Sequence, residues 1–192
     1  MTGFAVYALL WASFGAGHSL LARGPGQRLL ARLAGRGERL AYNAVAAVHL
    51  GLILWLGRLL LPGDFALPLA LRMVMALMIA AGIAILAVAG RAYDLGRFLG
   101  TAQLRDDTPS VEPLATGGMN AIVRHPLYLG LLLVLWGAAA SPFMAATAAF
   151  ATLYIRIGIF FEERKLLALY GHDYQRYRAS VPMLIPRVLR RA

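Results

Sequence analysis

Arg124-His125-Pro126-Leu127-Tyr128-Leu129-Gly130 stands where a charged stretch gives way to an apolar one. Pro126 suits the first turn of a helix, where its missing N–H has no intrahelical partner to lose. The apolar run Tyr128–Ala140 follows, then Ser141-Pro142, then a second apolar run, Phe143–Phe161, that ends in Glu162-Glu163. So short a turn returns the second helix antiparallel to the first. The predicted hairpin therefore carries Arg124-His125 and Glu162-Glu163 to the same end. Charges kept at a bilayer boundary are costly, and a use for them is the first thing to look for.

Outward from this hairpin the chain stays apolar. Of its 192 residues 60% are hydrophobic, well above the share in soluble domains. Three earlier runs, Phe4–Leu21, Ala44–Leu61 and Leu67–Gly90, reach the roughly 17–25 residues that a bilayer core requires. Tyr128–Ala140 reaches that length only if its helix begins near Pro126 and uses the Ser141-Pro142 turn. The expectation is an all-α integral membrane protein with five transmembrane helices. Phe4–Leu21 lacks a basic leader and is followed directly by a basic stretch, so it reads as a retained helix and not as a cleaved signal.

The cations orient the array. Of 19 Lys and Arg, five lie in Arg23–Arg39, four in Arg91–Arg124 and seven in Arg164–Arg191; Arg58, Arg72 and Arg156 are the remainder. The connections at Pro62–Ala66 and Ser141-Pro142 carry none. Cations on alternate connections place the N-terminus out and the C-terminus in. The net charge of +10 is thus a consequence of topology and of attraction to anionic headgroups, and no nucleic-acid partner is expected. With no Cys in the chain, disulfides, thiolate metal sites and a Cys nucleophile are excluded.

The organisation expected is a single membrane domain over 1–192, with a three-helix half at 1–90 and a ligand-binding half at 91–192. Arg23–Arg39 reads as a short amphipathic segment lying in the interface, with Leu29, Leu30 and Leu33 on one side and Arg28, Arg32 and Arg36 on the other. Ala80, Gly82, Ala84, Ala87 and Gly90 allow the third helix a close approach to neighbours. The polar connection Arg91–Val123 holds Asp94, Asp106, Asp107, Pro109, Glu112 and Pro113, and a connection this long is usually functional or disordered. Its apolar anchors Leu114, Met119 and Ile122 favour an ordered cytoplasmic cap. Beyond Glu163 the pattern stays helical to about Ser180, with Tyr170, Tyr174 and Tyr177 as a stripe that packs a C-terminal amphipathic helix on that cap.

Arg124 and His125 at the positive end of a helix suit an anionic group, and Tyr128 lies one turn further in. Glu162 or Glu163 could hold an amine, a sulfonium or ribose hydroxyls, and Arg156, seven residues before Glu163, shares its face. A ligand with a carboxylate, an amine and a further positive centre would fit. S-adenosylmethionine is one such ligand, and the residues alone do not single it out. A second class of function is a b-type haem or redox membrane subunit with His18 and His49 as axial ligands. A third is a catalytically inactive membrane scaffold.

The run Gly118-Met119-Asn120-Ala121-Ile122-Val123-Arg124-His125-Pro126-Leu127-Tyr128, then Glu162-Glu163, then Tyr170-Gly171-His172-Asp173-Tyr174-Gln175-Arg176-Tyr177 and Val181-Pro182, resembles the isoprenylcysteine carboxyl methyltransferase superfamily. That group includes phospholipid N-methyltransferases and bacterial membrane methyltransferases. The likeness covers roughly residues 103–186. The first half, with Gly17-His18-Ser19-Leu20-Leu21-Ala22 and Tyr42-Asn43, is similar to NnrU-type proteins and methanethiol S-methyltransferases.

The resemblance implies an S-adenosylmethionine-dependent methyltransferase. Its cofactor wall would comprise Gln103, Leu114, Ala115, Asn120, Arg124, His125, Pro126, Leu127, Tyr128 and Glu162, with no metal. Glu163 or His125 would take a proton where the acceptor needs one, and Arg156 would pair with the Glu163 carboxylate or reach the substrate. The acceptor is left open among thiols, amines and carboxylates on a membrane lipid or small lipophilic molecule. A multi-pass protein of the bacterial inner membrane, its site facing the cytoplasm, is implied. Two departures stand out. Asn120 replaces a Tyr usual in the family, and Gly158 stands where the prenylcysteine enzymes carry a substrate-contacting Arg, which argues against a prenylcysteine carboxylate.

Overall fold

A computed structural model of the chain describes residues 2–22, 24–92, 96, 99–105 and 113–187. The expectations attached to Asp94, Asp106, Asp107, Pro109 and Glu112 lie outside these residues. Seven α-helices and short 3-10 turns make up the regular structure of the described residues. The helices are α1 (Thr2–Leu21), α2 (Gly24–Ala34), α3 (Glu38–Leu60), α4 (Leu69–Gly90), α5 (Pro126–Gly137), α6 (Pro142–Tyr170) and α7 (His172–Ser180).

The runs Thr2–Leu21, Gly24–Leu60, Leu69–Gly90 and Pro142–Tyr170 are long and apolar enough to cross a bilayer, whereas Pro126–Gly137 is a shorter apolar helix. The fourth expected span therefore does not reach full helical length. Its 12 residues rise about 18 Å, because the helix stops at Gly137 instead of running into the Ser141-Pro142 turn. Ser141 instead caps α6, its Oγ accepting from the Met144 amide at 3.1 Å, with Pro142 in the first turn. The Phe65 amide covers the Ala140 carbonyl at 2.9 Å, so this non-helical stretch does not leave that acceptor bare. α6 runs on past Glu162-Glu163 to Tyr170 and breaks at Gly171, whose φ of 53° strongly favours glycine.

The chain packs as two compact units. One holds α1 to α3, the other α4 to α7. The boundary expected at residue 90 is not the one the packing follows, since the third apolar run joins the C-terminal half. In the first unit Tyr7, Trp11 and Phe14 bury one face of α1, stacked edge to face at 6.4 and 6.0 Å. Gly3 lies against the Leu60 carbonyl, which sets α1 and α3 antiparallel. On α2, Leu29 and Leu33 are exposed, as an interfacial helix would leave them.

In the second unit α4 and α5 meet through glycines. A Cβ on Gly82 would stand 2.6 Å from the Gly130 carbonyl oxygen, and one on Gly130 would stand 2.9 Å from that of Gly82. A Cβ on Gly137 would meet the Met75 carbonyl oxygen at 2.8 Å. The small-residue reading of the third run thus holds at Gly82. It does not hold at Gly90, where an added Cβ meets nothing within 4 Å. α5 joins α6 through Trp136, whose indole donates to Thr152 at 3.1 Å. Large apolar side chains such as Leu9, Leu77 and Leu153 point outward, which lipid tolerates and water does not.

Substituting Gly130→Leu is expected to destabilise the protein by about 2 kcal/mol or more through overpacking. Thermal unfolding in detergent should show a clearly lowered midpoint, whereas Gly90→Ala should leave it nearly unchanged.

Candidate functional site

Three segments converge at one end of the second unit: the 3-10 turn Gly118–Ala121 with the entry to α5, the middle of α6, and α7 with the strand-like tail after it. Backbone bonds seat the entry first. The Arg124 amide donates to the Pro182 carbonyl at 2.8 Å and the His125 amide to that of Met183 at 3.1 Å. Asn120 is buried, its Nδ2 donating to the Arg124 carbonyl at 3.2 Å, and its own carbonyl accepts from Tyr177 Oη at 2.7 Å.

Within this frame Arg124 is buried against Glu163. Nε and one terminal nitrogen both reach Glu163 Oε1, at 2.8 and 2.6 Å. The other terminal nitrogen donates to the carbonyls of Val181 at 2.5 Å and Arg178 at 3.2 Å. His125 Nε2 lies 3.2 Å from the same carboxylate oxygen, and Arg178 Nε is 3.5 Å from Glu163 Oε2. Such a buried charge pair is held by hydrogen bonds on all sides, which is what makes it tolerable in a low dielectric.

The anion site expected at the start of α5 is thus largely filled by the protein itself. Arg124 is committed to Glu163, the two leading amides to tail carbonyls, and Asn120 to backbone. The Arg124 guanidinium and the two leading amides are thus occupied within the protein. Glu163, expected as a candidate base, accepts from Arg124 and is within 3.2 Å of His125. Arg156 does not pair with Glu163. It is exposed, and its guanidinium donates to the Met183 sulfur at 2.7 Å.

Next to the clamp lies a more open pair. Tyr128 Oη donates to Glu162 Oε2 at 2.9 Å, and Glu162 is 42% exposed against 6% for Glu163. His125 Nδ1 is 3.9 Å from Glu162 Oε2, and its ring stacks on Tyr128 at 5.6 Å. His125 therefore stands between the carboxylates, within hydrogen-bond distance of the buried one at Nε2 and 3.9 Å from the open one at Nδ1. Leu127 is half-buried beside Tyr128, Pro126 is buried, Leu114 is half-buried and Ala115 exposed. Gln103 falls in the turn Ala102–Arg105, and its side chain lies outside what the structure describes.

Residues that sequence reading missed are Arg178 and the carbonyls of Val181, Pro182 and Met183. Arg178 was visible only as one more cation of a basic tail, and a carbonyl acceptor leaves no trace in residue identity. Tyr174, seen as part of a stripe, is fully buried and turns toward the Arg124–Glu163 pair. Burial, and then the Glu163 carboxylate, push its phenol up from 10.0 to about 12.

The haem reading fares worse. His18 Nε2 is engaged by the Tyr42 hydroxyl and His49 Nε2 by Ser13 at 3.2 Å, while Phe14 packs on both rings at 5.5 and 5.6 Å. Both imidazoles are used within α1 and α3, and nothing in this arrangement favours axial ligation.

The chain is similar to several bacterial proteins named methanethiol S-methyltransferase. It is 50% identical over 74 residues to one from Bradyrhizobium diazoefficiens, covering 36% of this chain and 27% of that protein. With one from Crocosphaera subtropica it shares 46% over 68 residues, 33% of this chain and 26% of the relative. With one from Pseudomonas deceptionensis it shares 36% over 91 residues, 45% and 34% of the two. The matched stretches span about a quarter to a third of these relatives' length. No family profile matches the chain, and no solved structure does. These relatives agree with the resemblance to membrane methyltransferases read from the sequence.

Two outcomes test this geometry. Arg124→Ala should cost about 3–5 kcal/mol by stranding a buried carboxylate, and Arg124→Ala with Glu163→Gln should recover part of that loss in chemical unfolding. Tyr174 supplies a pH test. An unfolded Tyr ionises near pH 10 but the folded one only near 12, so its share of stability is intact below about pH 10 and lost between about 10 and 12. Alkaline unfolding read by circular dichroism should begin in that window, and Tyr174→Phe should flatten it.

Proposed function

We propose that the chain acts as an integral-membrane methyltransferase that uses S-adenosylmethionine and methylates a small thiol. The observation that carries this reading is the Tyr128–Glu162 pair. It is the accessible polar part of a cluster whose buried part, the Arg124–Glu163 pair, is already satisfied. A half-exposed carboxylate aligned by a tyrosine suits the amine, sulfonium or ribose hydroxyls of that cofactor, and the half-buried Leu127 provides apolar surface beside it. The relatives' name, methanethiol S-methyltransferase, supports the choice of a small thiol over a lipid amine or a carboxylate.

When bound, the cofactor supplies a methyl group on a cationic sulfur. Glu162 would hold it by charge and hydrogen bonding, with Tyr128 fixing the rotamer of that carboxylate. His125 is the group we assign to accept a thiol proton, because its Nδ1 lies toward the more open Glu162, at 3.9 Å, while Nε2 is oriented by Glu163. Transfer from a sulfonium to a thiolate neutralises opposite charges, so alignment and exclusion of water are what this chain must provide. We place Glu163 and Arg124 as positioning residues and leave Arg156 outside the chemistry.

The alternating cations support a membrane arrangement with the N-terminus outside and the site in the inner membrane's cytoplasmic leaflet. In that arrangement α5 would complete a fifth crossing through the stretch 138–141.

Calorimetry with S-adenosylhomocysteine on purified protein tests the cofactor. Saturable binding is expected, weakened about 10-fold in Tyr128→Phe, the equivalent of one lost hydrogen bond of about 1.4 kcal/mol, and more in Glu162→Gln. Absence of saturable binding would overturn the proposal. Labelled methyl transfer to methanethiol, compared with phosphatidylethanolamine, tests the acceptor.

A further inference from the structure

A second cluster lies on the other side of Glu163, and two of its arginines, Arg156 and Arg164, take no part in the proposed methyl transfer. Positions 156, 160, 163, 164 and 167 recur on one face of α6, and α7 and the tail close against that face. Between them opens a cleft of about 160 Å³, lined by Arg156, Phe160, Arg164, Leu167, Arg178 and Met183 among others. Three guanidiniums meet there. Glu163 is the one carboxylate in the lining, and its Oε1 is already taken by Arg124 and His125.

The cations are poorly matched by the protein. Arg156 is exposed and donates to a thioether, a weak acceptor. Arg164 lies over the Phe160 ring at 5.5 Å. Arg178, 53% exposed, reaches Glu163 at 3.5 Å. Position matters as much as number. Arg156 stands five residues inside the apolar run that ends at Phe161, about 7.5 Å along the helix. A charge at that depth on an outer surface requires a partner, and a guanidinium pairs best with an oxyanion that takes two N–H groups at once. Phe160 and Leu167 line the same cleft with apolar surface, so an occupant with a charged head and a hydrocarbon body fits both linings.

We propose that this cleft binds the phosphate of an anionic phospholipid, held by Arg156, Arg164 and Arg178, with an acyl chain against Phe160 and Leu167. The site is separate from the Tyr128–Glu162 pair and does not depend on methyl transfer.

The test is thermal unfolding of the purified full chain in phosphatidylcholine mixed micelles, with added phosphatidylglycerol in one arm and inorganic phosphate in another. Phosphatidylglycerol is expected to raise the midpoint by about 3–6 °C at saturation, and inorganic phosphate at the same concentration to leave it unchanged. The double variant Arg156→Gln with Arg164→Gln should lose the lipid shift. Its helical circular dichroism and its midpoint in phosphatidylcholine alone should match the parent, which separates lost binding from lost folding. Arg156→Lys should keep a reduced shift. An equal shift from inorganic phosphate, a shift that survives in the double variant, or none in the parent would each overturn the proposal.

Discussion

The buried pair of Arg124 and Glu163 is the contact on which the second unit's functional end depends. Arg124 enters α5, Glu163 comes from α6, and the carbonyls of Arg178 and Val181 that complete the guanidinium's shell come from α7 and the tail. One side chain therefore ties three segments that are far apart in sequence. A charge pair so enclosed adds less net stability than its geometry suggests, because both ions had to leave water. What it contributes is uniqueness. With either partner unmet, the cost of an unpaired buried charge rules out alternative packings.

This constraint divides labour between adjacent glutamates. Successive residues on a helix point about 100° apart, so Glu163 faces the interior while Glu162 faces the opening next to Tyr128. The same rotation gives Glu163 two sides. Its Oε1 closes the clamp, and its Oε2 borders the arginine cleft. His125 then sits between the carboxylates, with Nε2 against the buried one and Nδ1 3.9 Å from the open one. An imidazole oriented in this way is restricted to few rotamers, which is the condition for acting as a base in a fixed direction.

The helix array is governed by close approach as much as by apolar burial. Lipid offers no hydrophobic gain for bringing helices together, so contact rests on van der Waals fit and small residues. Gly82, Gly130 and Gly137 supply that fit between α4 and α5. This is why α4 groups with the helices after it, although the long polar connection intervenes in sequence. Apolar length alone suggested a division at residue 90, because hydropathy records solubility in lipid and says nothing about which helix a span will touch.

Much was legible in the residues themselves. The helical class, the apolar runs, the start of α5 at Pro126, the amphipathic α2 and the meeting of Arg124-His125 with Glu162-Glu163 all follow from hydropathy, proline chemistry and a short turn. Each is a local property, or a consequence of connection length. Three features came only with the tertiary structure: which glutamate is buried, that Arg124 and the amides of the α5 entry are filled by the protein's own tail, and that Arg156 belongs to a separate arginine cleft. These turn on helix rotation and on backbone carbonyls brought from 50 to 60 residues away. A carbonyl is common to every residue type, so its use as a partner leaves no signal in the sequence. Chain folding in space decides where it falls.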